Sequence, residues 1–89
     1  MELSSNLALH EYLISLASLL ESRNAQVLAR AVHFAIAQSS ASSTEFLGES
    51  RIALKKVSTD GSAFLSPEEQ NDLASAVEQI EGAFRKRHV

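Results

Sequence analysis

The sequence predicts an all-α fold: a small bundle of three or four helices, with antiparallel neighbours and short loops, in a single domain over residues 1–89. Three observations predict it. Apolar residues recur at helical spacing along four stretches. Three Gly and one Pro leave little material for the tight turns of a many-stranded β fold. With four Phe, one Tyr and no Trp in a chain that is 45% hydrophobic, the core has to be filled by Leu, Ile, Val and Ala. A charged fraction of 21% beside that apolar content is the balance of a folded chain, not of a disordered one.

The first helix is expected over about residues 3–22. Leu9, Leu13, Leu16 and Leu20 fall on one stripe, with Tyr12 and Leu19 at its edge, and Glu11, Ser15, Ser18 and Ser22 lie opposite. The second is expected over about residues 24–38, on Leu28, Val32, Ala35 and Ile36. Asn24 is placed to cap it, although a single bent helix through residue 24 fits the same letters. A Ser-rich link follows. Ser42 with Glu45 has the spacing of a capping box ahead of a third helix over about residues 43–57. Its stripe is Phe46, Leu47, Ala53, Leu54 and Val57, and Gly61 is expected to end it in a left-handed conformation. The fourth helix runs from Pro67 to about residue 86, on Leu73, Val77, Ile80 and Phe84.

Residues 58–69, which overlap "TDGSAFLSPEEQ", resemble a calcium loop. With Glu69 at its twelfth position, Asp60, Ser62 and Leu65 fall at positions three, five and eight. Position one is then Ser58 where Asp is required, and position six is Ala63 where Gly makes the turn. Two carboxylates are too few for a cation that takes six to eight oxygens. A helix start explains the same residues: Ser66 caps, Pro67 takes the first position, and Glu69 closes a capping box. No metal is expected there.

No other constellation supports chemistry. His10, His33 and His88 show no metal-ligand spacing. Serine is abundant without a nucleophile elbow, and no glycine-rich phosphate loop exists. No catalytic residue, cofactor or metal is expected, and the chain is not expected to be an enzyme. Gln26, Arg30 and His33 share a narrow polar stripe; Arg30 and His33 are the one candidate polar site, weighed against a plain solvated strip. Arg85-Lys86-Arg87-His88 is the one basic cluster. It suits a helix C-terminus, and with a net charge of −3 and an otherwise acidic fourth helix, nucleic acid is not the expected partner. No Cys is present, which excludes disulfides and thiolate sites. The N-terminal residues lack the basic start of a secretory signal. The longest apolar run, 12–20, is far short of the ~20 residues a membrane helix needs. A cytoplasmic location away from membranes is the expectation.

The functional signal is apolar residues off the core stripes. Leu3, Leu7 and Ile14 lie together on the first helix, and Val27 and Phe34 sit nearly opposite the core stripe of the second. Ile52 stands alone among Gly48, Arg51, Lys55 and Lys56, and a single exposed apolar side chain means nothing. A domain this small struggles to enclose the extra set. Leu3, Leu7, Ile14, Val27 and Phe34 are therefore the candidate interface of an interaction module that pairs with itself, most simply as a homodimer. The alternatives are an adaptor for a different protein or a regulatory helical protein, and behind them a binder of nucleic acid or a small ligand through the basic and polar residues.

Overall fold

The computed structural model describes residue 3 and residues 5–87, the side chains of Lys86 and Arg87 excepted. Helices α1 (Asn6–Ser22), α2 (Gln26–Ala37), α3 (Ser43–Asp60) and α4 (Pro67–Arg87) follow one another, with 3-10 turns Gln38–Ser40 and Ser62–Phe64 in the last two connections. The described residues contain no strand. The bundle predicted from spacing is thus present, with four α-helices among the described residues. None of them is long and apolar enough to cross a membrane.

Sequential helices are antiparallel, and α4 closes the bundle by packing against α1 as well as α3. Arg23, just after α1, meets Glu69 in the first turn of α4. At the other end of α1, the Leu3 N–H donates to Gln79 Oε1 at 2.6 Å. The parallel pair α1 and α3 touch through Asn6 and Ser43 and through the rings of His10 and Phe46.

The predicted stripes form the core. Leu9, Leu13, Leu16, Leu20, Leu28, Val32, Ala35, Phe46, Leu47, Ala53, Leu54, Val57, Leu73 and Ile80 are all buried. Tyr12, Leu19, Ile36, Val77 and Phe84 pack partly against them. Among the described residues one polar side chain joins this interior: Ser50 is fully buried and its hydroxyl has no hydrogen-bond partner there.

Four local readings need correction. Leu3 is not on a helix. Ser5, extended at φ −151°, caps α1 by accepting from the Ala8 N–H at 3.1 Å, so the helix begins only after Leu3, whose side chain packs against the core.

Asn24 does not cap α2. It ends α1 in the left-handed conformation, φ 65°. The Ala25 N–H then donates back to the Leu20 carbonyl at 2.8 Å and the Asn24 N–H to the Glu21 carbonyl at 3.1 Å. That is the paired bonding of a Schellman ending, with Asn in the place Gly usually takes. The two helices are therefore separate.

Gly61 ends α3, but at φ −109°, so handedness is not what requires it. Close approach is: a Cβ there would stand 2.7 Å from the Val57 carbonyl oxygen and 2.8 Å from Leu28 Cδ1. The capping box at Ser42 is half formed, its hydroxyl accepting from the Glu45 N–H.

Candidate protein interface

The residues that start α4 do structural work. Ser66 Oγ accepts from the Glu69 N–H at 3.2 Å, and Glu69 Oε1 accepts from the Ser66 N–H at 2.8 Å, the complete capping box. Both Glu69 oxygens also receive the Arg23 guanidinium, at 2.5 and 2.9 Å, and Arg23 donates to the Phe64 carbonyl as well. The guanidinium holds the Glu69 carboxyl down at about 2, with the Ser66 N–H adding to the effect. The stretch that resembles a calcium loop thus commits its acidic twelfth residue to an ion pair that ties α1, the last loop and α4 together. No group of three or more His, Asp or Glu among the described residues is gathered to hold a metal.

The polar pair of α2 lies at the surface. His33 Nε2 lies 2.7 Å from Glu21 Oε1 across the α1/α2 seam. Both residues are exposed. The surface depressions lined by Leu3, Tyr12, Val27, Ser62 and Val77 include neither. Lys86, Arg87 and His88 of the basic cluster lie outside the side chains described.

The candidate apolar set is divided by the fold. Leu3 belongs to the core side. Leu7 and Ile14 are exposed and sit on the stripe that Glu21 continues, two heptads on from Leu7. Since Glu21 reaches His33 of α2, this stripe borders the α1/α2 seam. Val27 and Phe34, also seven residues apart, lie on the other border of α2. Val27 shares a depression with Lys56 and Asp60 of α3 and with Phe64. Between the two borders runs the exposed strip of Gln26, Arg30, His33 and Ala37. The set is therefore two patches on two seams.

The α2/α3 patch is the larger, because the fold adds two residues that spacing alone had not joined to it. Antiparallel packing places the helix start at Val27 beside Lys56 and Asp60. Seven residues later, Phe34 is level with residues about seven earlier on α3, where Ile52 stands on the outward edge. Phe64, from the loop, completes the foot of the strip. Val27 is 66% exposed, Ile52 63%, Phe34 58% and Phe64 38%. Val27 and Phe64 share one depression, and Phe34 and Ile52 stand exposed further along the same two helices; four large apolar side chains on two adjacent helices and their loop differ in kind from exposed residues scattered singly.

The α3/α4 seam is closed by comparison. Lys55 Nζ lies 2.7 Å from Glu81 Oε1, with Arg51 3.9 Å from the same oxygen. Arg51 stacks over the Phe84 ring at 5.6 Å. Lys55, then Arg51, hold the Glu81 carboxyl below its ordinary range. No protein-family model, curated protein or solved structure matches this chain.

Proposed function

We propose that this domain is a non-catalytic protein–protein interaction module that pairs with a second copy of itself through the α2/α3 face. The exposure of Val27 and Phe34 on α2, Ile52 on α3 and Phe64 in the loop beside Val27 is the observation that carries the reading. Covering one such side chain is worth ~1.5–3 kcal/mol. Association must offset several kcal/mol of lost rigid-body freedom, and a symmetric contact uses every anchor twice. Two-fold pairing is also the commonest assembly of identical chains. Leu7 and Ile14, on the other seam, take no part in this contact.

Light scattering across a dilution series tests the reading. The expected mass is twice the 9.6 kDa of the chain when concentrated, falling toward one copy on dilution. Phe34→Asp is expected to hold the chain as a helical monomer, because the contact would bury an unpaired charge. A single copy at every concentration would overturn self-association and leave an adaptor whose face waits for a different protein.

A further inference from the structure

If the two copies meet through that face, the charges along α3 specify how. Glu45, Glu49, Ile52 and Lys56 recur at steps of four, three and four residues and so share one edge of the helix. Ile52 and Lys56 are exposed and Glu49 is half-buried. No ion pair among the described residues engages Glu49 or Lys56, while Lys55, Arg51 and Glu81 on the α3/α4 side are paired. The signs are ordered along the edge: acid before Ile52, base after it.

We propose that the two copies meet about a two-fold axis at Ile52, α3 antiparallel to its counterpart, with Lys56 of each copy against Glu49 of the partner subunit. Laid parallel in register, the same edges would set Glu49 on Glu49 and Lys56 on Lys56. Turned end for end about Ile52, Lys56 lies ~6 Å beyond the axis and Glu49 ~4.5 Å before it at 1.5 Å per residue. The two therefore come opposite each other, and symmetry repeats the pair. Phe34, level with Ile52, joins it at the axis, giving an apolar centre with charge at its rim, the ordinary anatomy of a specific contact. Glu45 and Asp60 stand ~11–12 Å from the axis, where helices crossing at the common angle of ~50° have splayed by roughly a further 9 Å. Their like charges are thereby kept apart.

The test is a charge swap read by light scattering, with circular dichroism to confirm that each variant is folded. Lys56→Glu alone sets acid against acid at both pairs, and Glu49→Lys alone sets base against base. Each is expected to weaken its own pairing about tenfold or more. Mixed in equal amounts, the two variants meet with opposite charges at both pairs: the new acid of one faces the new base of the other, and the unchanged Glu49 of the first faces the unchanged Lys56 of the second. Dimers should therefore return at concentrations where each variant alone is monomeric. Single variants that pair as tightly as wild type, or a mixture no tighter than its components, would overturn the antiparallel two-fold. Such a result, with Phe34→Asp still monomeric, would leave the self-pairing reading standing. A monomeric wild type would overturn both.

Discussion

The two seams that flank α3 are built from similar residues and end in opposite states. On the α4 side, Phe84 is covered by Arg51, and Lys55 and Arg51 converge on Glu81. On the α2 side, Val27, Phe34, Ile52 and Phe64 stand in water, and Lys56 and Glu49 have no ion-pair partner among the described residues. Both seams offer apolar rings and both signs of charge. The difference lies in reach: residues 51 and 55 meet a carboxylate across their seam, while residues 49 and 56 meet no opposite charge among the described residues. The charges of the first seam are paired inside the fold, and the proposed pairing would give those of the second their counterparts.

Two glycines sharpen this contrast. Gly61 lies at the foot of the α2/α3 seam, where an added methyl would meet the Val57 carbonyl and the Leu28 side chain at under 3 Å. Gly61→Ala is expected to cost ~1–3 kcal/mol by overpacking, seen as a lower urea midpoint with an unchanged slope. Gly48 lies on the α3/α4 side, where a Cβ would meet only Phe84 Cζ, at an ordinary 3.8 Å. Gly48→Ala should instead stabilise by up to ~1 kcal/mol, because Gly is the weaker helix former. Equal effects of one sign would mean that the two seams are not packed as described.

Ser50, facing inward between the seams, gives a further check. A buried hydroxyl without a partner costs ~1–3 kcal/mol, and an apolar replacement of similar shape removes that cost. Ser50→Ala should therefore raise the unfolding free energy, by about 1 kcal/mol once the small loss of volume is counted. A destabilised variant would mean that the hydroxyl is satisfied.

The smallest effect concerns the Arg23–Glu69 tie, and it depends on pH. The folded carboxyl sits at about 2, against ~4.3 for an unperturbed Glu. Its contribution is present in full above the unfolded value and is lost as pH falls from there toward about 2. The pair is about a third exposed, so solvent screening keeps the amplitude modest. Acid titration of stability should show a shallower decline in Arg23→Gln than in wild type over that window. Parallel curves would mean that the tie adds nothing to stability.

Much of the fold was legible because core stripes depend on local spacing, and every residue of the α1 and α3 stripes did turn inward. The misreadings came where local rules admit two outcomes. Asn24 suits either a helix start or a left-handed helix end, and only the bonds to Leu20 and Glu21 decide between them. Gly61 suits a left-handed turn or a close approach, and only the position of Leu28 decides. The candidate face was half legible. Spacing marks Val27 and Phe34 as off the core, but which seam they border depends on the order in which helices pack. Ile52 carried no weight as a lone apolar residue until α3 placed it level with Phe34. Phe64 sits in a loop, where no periodicity marks it at all.

A second copy that covers the α2/α3 seam should leave the solvent exposure of the α3/α4 seam unchanged. The chain has no Cys, so one can be introduced on each seam in turn: Ala31→Cys, half-buried on the stripe between Val27 and Phe34, and Ala74→Cys, exposed beside Val77. Thiol labelling rates measured across a concentration series compare the seams directly. Labelling at position 31 is expected to slow as concentration rises, while labelling at position 74 stays constant. A rate at position 31 that is independent of concentration would contradict pairing through this face.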